Sequence, residues 1–129
     1  MDPAVFLSVL VTVASVSAGS MPEAVDLAAL KGWDIVVADD AIKSEVFAAE
    51  EFQRLYKRAS GAKLSIVHKI RRPNRHVFIG AGAEMRGSAI GFDVESFGRE
   101  DLRIVIRDQN IAIAGGRPRG TLYGVYTFL

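Results

Sequence analysis

Residues 33–67, WDIVVADDAIKSEVFAAEEFQRLYKRASGAKLSIV, read in turn as strand, helix and strand. Trp33 to Ala38 is a largely β-branched run closed by Asp39 and Asp40, the pattern of a short strand inside a sheet followed by turn residues. Beyond it, Phe47, Ala48, Phe52, Leu55, Tyr56 and Ala59 recur at three-to-four spacing, which predicts a helix with one buried stripe. Ser44 stands where an N-cap is expected, and Gly61 where a left-handed stop is expected. Glu50 and Arg54, four apart with the acid first, predict an exposed ion pair worth about 0.3 kcal/mol.

Working downstream, Leu64 to His68 and His76 to Gly80 read as two strands joined by the polar run Lys69 to Arg75, and a hairpin-like pair is expected. Leu102 to Arg107 alternates loosely, Asp108-Gln109-Asn110 reads as a three-residue turn, and Ile111 to Ala114 returns as an antiparallel partner. After Gly115-Gly116-Arg117-Pro118-Arg119-Gly120 comes Thr121 to Leu129, where Leu122, Val125, Tyr126, Phe128 and Leu129 leave almost no polar face. That segment is expected to be a buried helix. It ends on Leu129 with neither a glycine stop nor a basic last turn, so the chain is expected to be the leading part of a longer protein.

Working upstream, Ala4 to Val16 is an almost continuous apolar run of 13 residues, with small or compact residues at Val16 and Ala18. This is the pattern of a secretory signal peptide cleaved after Ala18. The run is shorter than the roughly 18 to 20 residues that span a bilayer, so no stable membrane span is expected. Its flaw is Asp2, where such signals carry a basic residue. The chain thus divides into a signal peptide at 1–18, a spacer at 19–32 and one domain at 33–129.

Sixteen Lys and Arg against fifteen Asp and Glu give a net charge of +1, too balanced for the broad positive field that binds nucleic acid. With no cysteine, thiol redox chemistry and thiolate metal sites are excluded. Half of the residues are hydrophobic, enough for a true core.

The candidate chemical groups are few. Gly80-Ala81-Gly82 follows a strand but fails the dinucleotide-loop spacing and reads as a tight turn. Glu50 and Glu51 point about 100° apart on a helix and cannot flank one bond. His68 and His76 lack acidic neighbours at metal-ligand spacing. Lys69, Arg71, Arg72 and Arg75 form a basic cluster without interleaved aromatics, expected to be a solvated loop. Tyr56 and Tyr126 lie on apolar helical stripes and are expected in the core. Arg117 and Arg119 sit on a glycine-rich loop that leads into a helix, where free N–H groups favour anions. Arg117, Arg119, Gly120 and Tyr123 are therefore the candidate anion or interdomain contact. The bland alternative has Gly115 and Gly116 ending the hairpin, Arg119 paired with a carboxylate such as Glu50 or Glu51 or with a carbonyl, and Gly120 admitting close packing. No residue is assigned a catalytic, cofactor-binding or metal-binding role.

WDIVVADD, AAEEFQRLYKRASGAKLSIV, HVFIGAG and IAIAGGRPRGTLYGVYTFL together resemble the domain that precedes the catalytic barrel in certain glycoside hydrolases. The stretch is similar to the N-terminal domain of α-glucuronidases of families 67 and 115, and to the second domain of family 20 β-hexosaminidases. Phe52 and Ser60 stand where those families more often have Leu and Thr. The resemblance implies an α+β fold, a mixed β-sheet of about five strands with helices packed on one side. It also implies a non-catalytic accessory domain of an exported polysaccharide-degrading enzyme, partnered by a catalytic barrel and by polysaccharide. The alternatives are a stand-alone carbohydrate-binding module and a hydrolase in its own right. If Ala4 to Val16 directs export, N-terminal sequencing of exported material is expected to begin at or near Gly19, and intact Met1 recovered from the cytoplasm would contradict it.

Overall fold

A computed structural model describes the backbone of Val9–Thr12 together with residues 27–129. The signal-peptide reading and most of the spacer otherwise lie outside the described residues. A single turn of 3-10 helix, Leu27–Leu30, precedes Trp33, and its Leu30 is buried.

The fold is α+β. Among the described residues six strands, β1 (Val9–Thr12), β2 (Asp34–Val36), β3 (Ser65–Val67), β4 (His76–Ile79), β5 (Leu102–Arg107) and β6 (Asn110–Gly115), form one mixed sheet in the order β1-β5-β6-β4-β2-β3. Only β5 and β6 are antiparallel; every other neighbouring pair is parallel.

The helices are α1 (Lys43–Ser60), α2 (Ala83–Arg86) and α3 (Gly120–Phe128). Alternation along the strands splits the apolar residues into two cores. On one face Ile35, Val37, Val77, Ile79, Ile111 and Ile113 meet Ala48, Ala49, Phe52 and Tyr56 of α1 and Val125 of α3. On the other, Val36, Phe78, Val105, Ala112 and Ala114 meet Met85 of α2 and Ile90. Small alanines on that side of β6 let a one-turn helix and the loop after it cover the sheet. Both long helices share one face, and the short α2, which the sequence reading did not foresee, takes the other. No helix among the described residues is long and apolar enough to cross a membrane.

Several local expectations are corrected. The pair β3 and β4 is not a hairpin, because both run parallel to β2 and β2 lies between them. The N-cap of α1 is Ile42, and Ser44 falls inside the first turn, where its hydroxyl donates to the Pro118 carbonyl at 2.5 Å. At the other end Gly61 adopts φ 80, as a left-handed stop requires. The turn between β5 and β6 has two residues, Asp108 and Gln109, at φ 55 and 58. Arg107 pairs with Asn110 across it, the geometry of a type I′ loop carried without glycine.

Helix α3 is not wholly buried. Gly120, Thr121, Gly124 and Val125 face the sheet, whereas Tyr123, Tyr126 and Leu129 are exposed. The helix lies on its glycines: a Cβ at Gly124 would stand 2.6 Å from Cγ2 of Ile113. Backbone therefore approaches sheet, and the aromatic side chains are turned outward. Gly124→Ala is expected to cost about 1–3 kcal/mol through overpacking. Urea denaturation measures it, and an unchanged midpoint would contradict this seating.

Candidate functional site

Strands β2 and β4 are parallel neighbours, yet the chain leaves β2 toward α1 on one face and β4 toward α2 on the other. Such a divergence opens a crevice at the carboxyl ends of the strands. Here it is a cleft of about 520 Å³ lined by Asp40, Glu45, Arg86, Asp93, Glu95 and Arg117 around Ile79 and Phe97. Gly80, at φ 87, follows β4, and a Cβ there would stand 3.3 Å from the carboxyl carbon of Glu45.

The loop from β6 to α3 supplies Arg117. Gly116 allows the loop to pass beneath residues 98–101, since a Cβ there would meet the Gly98 carbonyl at 1.8 Å. The Gly116 N–H donates to Asp101 O at 2.8 Å, and the Gly115 N–H to the Thr121 hydroxyl at 3.0 Å. Thus held, Arg117 donates from Nε and Nη2 to the two carboxylate oxygens of Glu45 at 3.1 and 3.2 Å. The buried carboxylate anchors a guanidinium that remains more than half exposed to the cleft.

The four candidate residues therefore separate. Arg117 faces the cleft, and Gly120 is buried where the loop meets Asp101. Arg119 pairs with a carboxylate, as expected, but that of Glu100 at 3.6 Å, both exposed, rather than Glu50 or Glu51. Tyr123 lies on the outer face of α3. The partner of Arg117, Glu45, was not singled out by the sequence reading, and its only local signal was an acid in the first turn of a helix.

A second polar arrangement crosses the outer surface of α1 and α3. Arg54 pairs with Glu51, at 2.9 and 3.0 Å, rather than with Glu50. The Tyr126 hydroxyl donates to Glu51 Oε1 at 2.9 Å. Tyr126 is 46% exposed, so its expected place in the core is corrected, while Tyr56 is fully buried and donates to Leu27 O at 2.6 Å. Around this chain of bonds lie the exposed side chains of Val46, Phe47, Tyr123 and Leu129. The Arg54 guanidinium and then the Tyr126 hydroxyl hold the Glu51 carboxyl below its ordinary value, and donation to Glu51 pushes the Tyr126 hydroxyl up.

At the opposite end of the sheet, Asp34, His76 and Asn110 occupy register positions on three adjacent strands. His76 is fully buried, with Nδ1 2.5 Å from Asp34 Oδ1 and Nε2 2.8 Å from Arg72 O. Both partners are hydrogen-bond acceptors. Arg72 also donates to the carbonyls of Asn74 and Gly32, at 3.1 and 2.9 Å. It is thus fastened to the fold rather than solvated with the rest of the basic cluster. His68 is elsewhere, with Nδ1 2.8 Å from Val37 O. Among the described residues no three His, Asp or Glu side chains converge to hold a metal ion.

No protein-family model, curated protein or solved structure matches this chain. The depressed Glu51 carboxyl has a consequence for stability: its contribution is present above the unfolded value of about 4.3 and is lost as pH falls through the lower folded value. Glu51→Gln is expected to make the acid limb of the stability curve shallower and to return the Tyr126 titration toward about 10. Denaturation across an acid pH series and tyrosine absorbance titration check the two effects.

Proposed function

We propose that this chain is a non-catalytic accessory domain of an exported, polysaccharide-degrading glycoside hydrolase of the α-glucuronidase or hexosaminidase kind, and that its work is to pack against a catalytic barrel. The observation that carries the reading is the outer face of α1 and α3, where Phe47, Tyr123, Tyr126 and Leu129 are exposed beside the Arg54–Glu51–Tyr126 bonds. An aromatic face crossed by a few fixed polar groups has the composition of an interface core. The cysteine-free sequence and the apolar run Ala4 to Val16 support export. The resemblance of RGTLYGVY, at residues 119–126, supports the enzyme class.

A second reading, a stand-alone carbohydrate-binding module, is favoured by one observation: Tyr123 and Tyr126 are both exposed and three residues apart on a helix. One set of measurements separates the two. On the packing reading, the isolated chain self-associates in sedimentation, and the variant Phe47→Ser/Tyr123→Ser/Tyr126→Ser is monomeric and equally folded. Glucuronoxylan and chitin oligosaccharides leave the tyrosine resonances unchanged, and aryl glucuronides and N-acetylhexosaminides are not turned over. Saccharide-induced shifts confined to Tyr123 and Tyr126 would instead establish the binding module, and turnover abolished by one Asp or Glu substitution would establish an enzyme.

A further inference from the structure

The basic loop between β3 and β4 has no task in packing against a barrel. It carries the chain from the carboxyl end of β3 back to the amino end of β4, with β2 between the two strands. Beside it lies an open groove of about 660 Å³ lined by Asp34, Val67, His68, Lys69, Arg71 and Arg72. Val67 packs with Val36 and Phe78 on the side of the sheet that carries α2, and Asp34, two residues before Val36, shares that side. The groove is therefore separate from the exposed face of α1 and α3.

Its charge is unbalanced. Among the described residues Asp34 is the one carboxylate lining it, and both of its oxygens are engaged, Oδ1 2.5 Å from His76 Nδ1 and Oδ2 3.5 Å from Arg72 Nη2. Arg72 also donates to the carbonyls of Gly32, Asn74 and Arg75, at 2.9, 3.1 and 3.1 Å. Its guanidinium is thus fixed before any ligand arrives, which lowers the cost of binding. Arg72 offsets Asp34, whereas the exposed Lys69 and Arg71 pair with no carboxylate among the described residues.

His68 and Lys69 also line a smaller pocket of about 130 Å³ at the carboxyl ends of β2 and β4, together with Asp39, Asp40 and Glu84. Glu84 is occupied, since it accepts from the Ile70 N–H at 3.0 Å. Asp39 and Asp40 are exposed, and their side chains make no hydrogen bond among the described residues. An ionised carboxylate can only accept. Groove and pocket together therefore suit one molecule that carries both anionic groups and hydroxyl donors.

We propose, resting on the accessory-domain reading for the class of polymer, that this groove and pocket bind an acidic sugar chain built of uronic acids. Its carboxylates sit on Lys69, Arg71 and Arg72, and its hydroxyls donate to Asp39 and Asp40. A single-stranded DNA fits less well. No Phe, Tyr or Trp lines the groove for bases to stack on, its backbone offers no hydroxyl, and Asp39 and Asp40 repel its phosphates.

The test titrates the full chain with tetragalacturonate, with neutral cellotetraose and with a short oligothymidylate, read by backbone amide NMR. Tetragalacturonate is expected to shift the amides of His68 to Arg72 and to leave Tyr123 and Tyr126 unmoved, and cellotetraose to shift neither. Lys69→Gln/Arg71→Gln, which removes two exposed charges that the fold does not use, is expected to weaken binding about tenfold or more, the range of one charge-assisted hydrogen bond. Asp39→Ala/Asp40→Ala is expected to weaken it about fivefold. Tighter binding after that change, or equal binding of oligothymidylate, would assign a plain polyanion surface and overturn the proposal. So would the absence of binding, or binding indifferent to Lys69 and Arg71. Sedimentation of the same samples keeps the packing reading apart: a chain that self-associates yet ignores tetragalacturonate loses this site alone, and a monomer that binds it loses the packing face alone.

Discussion

Strand β6 is buried at all six positions, and the rest of the sheet is arranged around that constraint. A strand with no exposed residue must find partners for its backbone on both edges. It does so in two different ways, antiparallel to β5 and parallel to β4. The hairpin supplies the first partner within two residues. The second comes from a distant part of the chain, through the β2–α1–β3 unit and the return to β4. The mixed character of the sheet follows from this single strand. So does the division of its surface, with isoleucines under the two long helices and alanines under a single turn.

The same geometry places the polar features. Because β2, β4 and β6 run in one direction, their carboxyl ends gather the loops that carry Asp40, Gly80 and Arg117 at one end of the sheet. Their amino ends gather Asp34, His76 and Asn110 at the other. The first end is an open cleft with an anchored guanidinium, and the second is closed, with each ring nitrogen of His76 engaged. Among the described residues, the large apolar side chains left exposed are those of Val46 and Phe47 on α1, Tyr123 and Tyr126 on α3, and Leu129.

What could be read from the sequence was what local spacing encodes. Helix α1 was legible from its apolar stripe and from Gly61, and β5 and β6 from their runs and the intervening polar residues. Register was not legible, since nothing near Asp34 states that it will stand opposite His76, 42 positions later. The same holds for Glu45, which meets Arg117 at a separation of 72 positions. The candidate loop was recognised as one group, but only Arg117 turns into the cleft, because closely packed glycines fix the direction of each residue that follows. Helix α3 was misread for a related reason. Counting apolar side chains predicted that Tyr126 would face inward, whereas contact with the sheet is made where side chains are missing.

That contact differs in kind from the packing of α1. Phe52 or Tyr56 occupies volume, and a core can accommodate another apolar residue of similar size by rearranging its neighbours. At Gly120 and Gly124 the fit consists of atoms that are not there, with Asp101 O and Ile113 standing in the places where a Cβ would go. No rearrangement of a larger side chain reproduces it. The two requirements on α3 are consequently decoupled: Gly120 and Gly124 on the inside call for glycine, while Tyr123 and Tyr126 on the outside are free of the sheet. Such a helix can change what it presents to its surroundings without changing how it is mounted.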